Sequence, residues 1–247
     1  MYRVLFAILI LFCLYKCAGA EEVPVTAKAW LVANESGTVI EGVNTTEVRS
    51  IASITKLLTA MIVLDASQDL DEGIKTARYR ATISRQMLMD MALVRSDNTA
   101  ATLLCLHYPS GYKGCIQALN DKAASLGMTD THFEDPTGLD KRNVSTANDL
   151  LKLVQAAGVY PLIVEAGNKD LVSLKTKKLR TLFFKNTNPL VGQGYGILVS
   201  KTGFINRAGG CIVMSLLTVN GLRTVILLGS RNTHTRIPEA AFLSTKY

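Results

Sequence analysis

Residues 51–66 read Ile51-Ala52-Ser53-Ile54-Thr55-Lys56-Leu57-Leu58-Thr59-Ala60-Met61-Ile62-Val63-Leu64-Asp65-Ala66. From Ile54 to Ala66 the stretch is apolar almost all round, without the polar stripe of a surface helix. It predicts a helix buried on every side. Ser53 stands at its start and Lys56 one helical turn on, which brings the lysine amine beside the serine hydroxyl. A serine hydroxyl needs a base close by before it can attack a carbonyl. Burial disfavours the charged form of lysine, so an amine in this position can act as that base.

Outward from this helix the hydrophobic period changes on both sides. Residues 27–33 (Ala27-Lys28-Ala29-Trp30-Leu31-Val32-Ala33) and 37–41 read as strands, with Asn34-Glu35-Ser36-Gly37 turning the chain between them. Residues 84–94, 99–107, 115–126 and 146–157 read as helices. Thr146 opens the last of these, with Asp149 three positions on in a capping-box pattern. Beyond Gly196, Ile197–Thr202, Cys211–Val219 and Leu222–Leu228 read as strands, with Asn220-Gly221 as a hairpin turn between the last two. Residues 238–247 close the chain as a helix. Strands at both ends with helices between imply an α+β fold: an antiparallel sheet built from the two termini, a helical lobe packed against it, and a cleft between. No repeat, low-complexity tract or Pro/Gly linker divides residues 21–247, which read as one catalytic domain.

Residues 1–20 read as an export signal. Arg3 is followed by the twelve-residue apolar run Val4–Tyr15 and the small residues Ala18-Gly19-Ala20. That run is too short for a bilayer, which takes about 20 residues in a helix; a short N-terminal anchor is the alternative. Removing Arg3 and Lys16 with the signal takes the net charge from +7 to +5. The basic residues are spread out, apart from a cluster at Lys175, Lys177, Lys178 and Arg180. Without zinc-ligand spacing or basic–aromatic interleaving they do not describe a nucleic-acid binder. A mildly basic surface suits a polyanionic partner or serves solubility alone. The three histidines, His107, His132 and His234, are unpaired in spacing, so neither a His-based metal site nor a Ser-His-Asp triad is expected. No cofactor is expected either. Of five cysteines, Cys105, Cys115 and Cys211 lie beyond the signal, an odd number. Cys105 and Cys115 flank the turn Tyr108-Pro109-Ser110-Gly111-Tyr112 between two helix ends, within a disulfide's reach; free thiols are the alternative. Cys211 reads as a buried apolar thiol.

Two further motifs follow Ser53-Ile54-Thr55-Lys56: Ser96-Asp97-Asn98 in a turn between helices, and Lys201-Thr202-Gly203 at the end of a strand. Each residue has a physical part to play. Lys201, facing Lys56 across the cleft, would lower its pKa by repulsion. With Thr202 it would grip a substrate carboxylate. Gly203 would let the substrate backbone lie close to the strand. Ser96 could relay a proton between Lys56 and a leaving amine, and Asn98 could hold the substrate amide. The N–H groups of Ser53 and Phe204 would form an oxyanion hole. A second Ser-x-x-Lys, Ser110 to Lys113, follows Pro109 in an expected loop with no buried helix behind it.

These three motifs in this order are joined by Asp135-Pro136-Thr137-Gly138-Leu139, Asn143-Val144-Ser145-Thr146-Ala147 and Lys201-Thr202-Gly203-Phe204-Ile205-Asn206-Arg207-Ala208-Gly209. With them the chain resembles the low-molecular-weight penicillin-binding proteins of the D-alanyl-D-alanine carboxypeptidase family, and within it the soluble D-alanyl-D-alanine endopeptidase branch. The resemblance implies a β-lactamase/DD-peptidase-like fold and a serine DD-peptidase acylated on Ser53. It implies peptidoglycan stem peptides and cross-links as substrates, β-lactams as covalent inhibitors, and a soluble periplasmic location without a stable membrane anchor. Membrane-bound members carry a further β-rich domain and an amphipathic C-terminal anchor, and neither precedes Tyr247. A class A-like β-lactamase would need a water-activating carboxylate in a Glu-x-x-Leu-Asn loop, which the sequence lacks. A non-catalytic relative that binds β-lactam or peptidoglycan is the rival of a different kind, and three intact motifs speak against it. The motifs leave open whether a terminal D-alanine or a D-alanyl cross-link is cut.

Overall fold

In the computed structural model, which describes residues 24–175 and 180–247, the two ends of the chain meet in one sheet. The expected export signal, and Lys177 and Lys178 of the basic cluster, lie outside the described residues. At the N-terminal side β1 (Ala29–Asn34) and β2 (Val39–Val43) form a hairpin. Its turn has the expected chemistry: Gly37 takes φ 82°, and Asn34 Oδ1 accepts the Thr38 N–H at 2.9 Å. The chain continues through β3 (Arg49–Ser50), a 3-10 turn at Ala52–Ile54, α1 (Thr55–Asp65), and the hairpin β4 (Gly73–Thr76) with β5 (Ala81–Ser84). Then come α2 (Arg85–Val94), α3 (Asn98–Leu106), α4 (Gly111–Ser125), β6 (Val144–Ser145), α5 (Ala147–Ala157) and α6 (Pro161–Asn168). A second hairpin, β7 (Leu171–Lys175) with β8 (Thr181–Lys185), precedes β9 (Ile197–Ile205), β10 (Gly209–Thr218), β11 (Gly221–Ser230) and α7 (Arg236–Lys246). The main sheet has the order β2-β1-β11-β10-β9 and is antiparallel throughout.

Both faces of this sheet are covered, and the period of two sorts its side chains between two cores. Leu31, Val213, Ile226 and Leu228 face the helical lobe and pack with Leu57 and Met61 of α1. Val32, Ile212, Met214, Val225 and Leu227 point the other way, under Ala240 and Leu243 of α7. Strands buried on both faces therefore read as continuous apolar runs rather than as alternation. Each such side chain taken out of water contributes roughly 1.5–3 kcal/mol. The sequence prediction for α1 holds: Thr55 to Val63 are buried without a break, Lys56 included. Among the described residues no single helix is long and apolar enough to cross a membrane.

The structure departs from the sequence reading in three places. The hairpins β4–β5 and β7–β8 and the helix α6 were not anticipated. Each is short, and α6, eight residues opened by Pro161, lies below the length at which a helical period can be read. The α4 helix starts at Gly111, so the second Ser-x-x-Lys opens a helix instead of lying in a loop. Ser110 and Lys113 are both exposed there, and that exposure is what separates them from Ser53 and Lys56. Only half of the expected capping box forms. Thr146 Oγ1 accepts the Asp149 N–H at 3.1 Å, but the Asp149 carboxylate turns to the Asp130 N–H (2.9 Å) and the Thr131 hydroxyl (2.9 Å).

Cys105, on the last turn of α3, is bridged to Cys115 in α4 with a Cα–Cα distance of 5.3 Å, and both sit in the core. Cys211 is free and buried on β10, where loss of water pushes its thiol up to about 11. A chain beginning at residue 21 should therefore show one reactive thiol when denatured without reductant and three after reduction. Three before reduction would exclude the bridge. The residues joined are ten apart, so replacing both with serine should cost no more than about 3 kcal/mol of stability in a denaturant titration.

Candidate active site

Between Ser50 and Val63 only Ser53 is not fully buried. It lies in the 3-10 turn that feeds α1, and the residue before it, Ala52, is held at φ 48°. A left-handed alanine costs roughly 1–2 kcal/mol, so the surroundings must impose it. They do so from two sides. On one side is the Gly138 loop: a Cβ at Gly138 would stand 1.9 Å from the Ala52 carbonyl oxygen and 2.9 Å from Ser53 N. On the other is β9: a Cβ at Gly203 would stand 2.9 Å from Ser53 N and 3.0 Å from the Ile51 oxygen. Gly203 was expected to make room for substrate. Its close neighbour is the protein's own nucleophile turn.

The loop that brings Gly138 in is organised by two side chains. Asp135 Oδ1 accepts from the Thr137 N–H and hydroxyl and the Gly138 N–H at 2.5–2.7 Å, and Oδ2 accepts the Asp140 N–H at 2.6 Å. Asn143, wholly buried, accepts from the N–H groups of Glu134 (2.9 Å) and Asp135 (3.2 Å). It donates to the Asp135 carbonyl (2.8 Å) and to Thr55 Oγ1 (3.0 Å), which itself donates to the Ala52 carbonyl at 2.8 Å. Asn143 thus ties the loop to the first turn of α1.

Lys56 is 0% exposed, and its Nζ has three partners: Ser53 Oγ at 2.8 Å, Asn98 Oδ1 at 2.8 Å and the Thr137 carbonyl at 2.5 Å. Two of the three can only accept. A neutral amine, with two hydrogens and one lone pair, satisfies both acceptors and leaves its lone pair facing the Ser53 hydroxyl. Burial lowers the Lys56 pKa to about 7, although Asp135 and Asp97 pull the other way. Lys201 stands within repulsive reach of Lys56, and that repulsion is mutual. Lys201 is 1% exposed, and burial, then Lys56, then Arg236 drive it well below the ordinary lysine value.

Asp97 caps α3 by accepting the Ala100 N–H (2.8 Å) and also accepts the Tyr79 hydroxyl at 2.5 Å. Burial and this carboxylate push Tyr79 up to about 12. Ser96 takes φ 63°, a second left-handed non-glycine at the site, and its hydroxyl is not among the partners of Lys56. Asn98, not Ser96, is the member of this motif that touches the lysine. On the third motif, Lys201 Nζ donates to the Thr202 carbonyl (2.9 Å), and Thr202 Oγ1 donates to Thr187 Oγ1 (2.7 Å). The Thr187 N–H donates to the Val94 carbonyl (3.0 Å), tying β9 to the end of α2. Arg236 of α7 donates to the Gly203 carbonyl at 2.6 Å. Thr187 and Arg236 were missed from sequence, and no local pattern marks either. Phe204 follows Gly203 on β9, the free edge of the main sheet, and is 44% exposed.

The described residues contain no cluster of His, Cys, Asp and Glu able to hold a metal. What the site offers is a serine hydroxyl against a buried amine whose pKa is lowered to about 7, beside an open strand edge.

The sequence profile of the family described as D-alanyl-D-alanine carboxypeptidase matches residues 16–230. A D-alanyl-D-alanine endopeptidase of Escherichia coli is 42% identical over 215 residues, covering 80% of this chain and 69% of that protein. One of the same name from Pseudomonas aeruginosa is 36% identical over 234 residues, covering 88% and 76%. Among solved structures, a penicillin-binding protein of Listeria monocytogenes in its ampicillin-bound form superposes with a TM-score of 0.80 at 28% identity. It covers 92% of this chain and 98% of that one. A D-alanyl-D-alanine carboxypeptidase of Mycobacterium tuberculosis gives 0.80 at 25% identity, over 93% and 94%.

An organophosphonate that labels serine nucleophiles should react with Ser53 at a rate that rises with pH and is half-maximal near pH 7. A flat profile, or a midpoint above 9, would show that Lys56 does not take the proton. Gly138→Ala should slow the same labelling by about 10²-fold, the scale of an ångström's misplacement of a reacting group, with mass mapping to check that Ser53 is the residue labelled.

Proposed function

The chain belongs to the D-alanyl-D-alanine carboxypeptidase family, and from that membership we propose that it is a serine-type D-alanyl-D-alanine peptidase that hydrolyses D-alanyl bonds of peptidoglycan through an acyl-enzyme on Ser53. The observation that carries the mechanism is the Lys56 amine, buried, with its two acceptor partners supplied by Asn98 and Thr137 and its lone pair left for Ser53. In the first step the Ser53 proton passes to Lys56 and Oγ adds to the scissile carbonyl. The N–H groups of Ser53 and Phe204 receive the oxyanion, aided by the positive end of the helix that Ser53 opens. Asn98 keeps its Nδ2 for the substrate amide. The proton taken by Lys56 passes to the leaving amine by way of the Ser96 hydroxyl, which has to turn toward the lysine to carry it, and departure of the amine leaves an ester on Ser53 that water then hydrolyses.

Lys201 and Thr202 hold the carboxylate of the leaving residue. A carboxylate brought against Lys201, whose pKa burial lowers, favours its charged form. The bound substrate then supplies the repulsion that keeps Lys56 a base. The relatives at 42% and 36% identity bear the endopeptidase name, which supports cross-links as the substrate over free stem termini. The same reading makes residues 1–20 an export signal and the periplasm the place of work.

Deacylation separates this reading from that of a β-lactamase. Among the described residues no carboxylate bonds to Ser53. Asp135 is spent on its own loop, and Glu134 faces His132 (3.2 Å) and Arg142 (3.4 Å). Penicillin should therefore leave a lasting covalent adduct on Ser53; tryptic mapping that found it on Ser96 or Ser110, or rapid turnover of the drug, would overturn the assignment. Lys56→Arg keeps a charge but cannot give up its proton, so acylation should fall by about 10²–10⁴-fold. Digestion of purified cross-linked muropeptides, with products read by mass, should yield monomers, and release of terminal D-alanine alone would make the enzyme a carboxypeptidase.

A further inference from the structure

Three stretches of backbone converge on Ser53: its own turn, the loop at Gly138 and β9 at Gly203. Each runs on within about four residues into the wall of one cavity of about 640 Å³. Arg49 and Ser50 come from the segment before Ser53, Lys141 and Arg142 from the loop beyond Gly138, and Arg207 from the turn after β9. The cavity is thus one end of the ground on which the nucleophile stands. Lys201 and Thr202 mark the other end of the same strand.

Its lining is basic. Four cations face one anion, Glu47, which is paired to Arg49 at 2.5 Å. Arg142 is held by Asp140 at 2.6 Å and by Glu134 at 3.4 Å. Lys141 and Arg207 are exposed, and among the described residues their side chains form no hydrogen bond or ion pair. Arg49 Nε is buried with no partner among the described residues. The Ser50 hydroxyl is turned away, donating to the Lys141 carbonyl at 2.5 Å. Two exposed cations without a partner, in a pocket whose one anion is already paired, ask for an anion with several acceptor oxygens.

We propose that this pocket is a subsite for a carboxylate of the acyl-donor peptide, lying about three residues on the amino side of the bond that is cut. The inference rests on the peptidase reading above. A peptide laid antiparallel along the free edge of β9, with its leaving residue at Lys201, carries its amino-terminal part toward Arg207. Phe204 and Ile205 are the last residues of β9 and Arg207 lies in the turn just beyond, so a peptide paired to that edge meets the pocket about three residues before its scissile bond. The pocket therefore selects donors by an acidic side chain, while Lys201 and Thr202 select the leaving residue.

The test compares two D-alanyl-D-alanine peptides on the mature chain, one with a free carboxylate three residues before the scissile bond and one with that group amidated. The acidic peptide should have the higher kcat/KM by about 10–100-fold, the scale of one or two charged hydrogen bonds. In Arg207→Glu with Lys141→Glu that ratio should fall to one or below, with the thermal midpoint unmoved; Arg207→Gln should give an intermediate ratio. A ratio near one in the wild type, or an undiminished ratio in the double variant, overturns the subsite. Calorimetry with the acidic donor peptide lacking its last D-alanine reads the pocket without turnover. If the wild type cuts neither peptide, the peptidase reading falls. Binding of this product decides the subsite on its own: tighter to the wild type than to the double variant supports it, and equal affinity removes it.

Discussion

Taking the Lys56 amine out of water is the constraint on which the site depends. A drop from 10.5 to about 7 corresponds to about 5 kcal/mol set against the charged form. Because unfolded lysine keeps its ordinary value, this cost to stability is felt in full below about pH 7 and fades as pH rises toward 10.5. Apolar burial along the rest of α1 offsets it, since Leu57, Leu58, Ala60, Met61, Ile62 and Val63 all lie in the same core. The helix that lowers the lysine's pKa is the helix that the fold is packed around, so that shift and the stability of the fold draw on the same contacts.

Burial alone would leave the amine without direction. It is aimed by groups from three separate segments: Ser53 from its own turn, Asn98 from the start of α3, and the Thr137 carbonyl from the loop that Asp135 and Asn143 organise. The serine in turn is held by backbone. Gly138 and Gly203 both lie close against the Ala52–Ser53 peptide, where Ala52 is left-handed. A substituent at either glycine would meet main-chain atoms, which cannot swing aside as a side chain does. The nucleophile's position is therefore a packing result rather than a local preference of its own residues.

The sheet transmits this arrangement because it is fixed on both faces. The helical lobe covers one and α7 the other, and Arg236 reaches from α7 to the Gly203 carbonyl beside the nucleophile turn. Thr187 joins Thr202 on β9 to the end of α2, just before the Ser96-Asp97-Asn98 turn. The two walls of the cleft are thereby held in register by single hydrogen bonds between residues far apart in the chain, while the outer edge of β9 stays open for a substrate strand.

Much of this was written in the sequence, and the reason is that it was local. A helix apolar on every side, a serine one turn before a lysine, hairpin turns at Asn34–Gly37 and Asn220-Gly221, and three motifs in a fixed order all speak through neighbouring residues. So did the nearness of Cys105 to Cys115, although whether they bond was left open. The tertiary structure alone decided what depends on distant partners. Asn98 rather than Ser96 meets the lysine, and Gly203 lies against the turn that carries Ser53. Thr187 and Arg236 enter the site with no local pattern to mark them. Periodicity and spacing report which face of an element a residue occupies, because that follows from the backbone repeat. Which atoms then meet across the cleft is set by how the elements pack, and no short stretch of sequence carries that information.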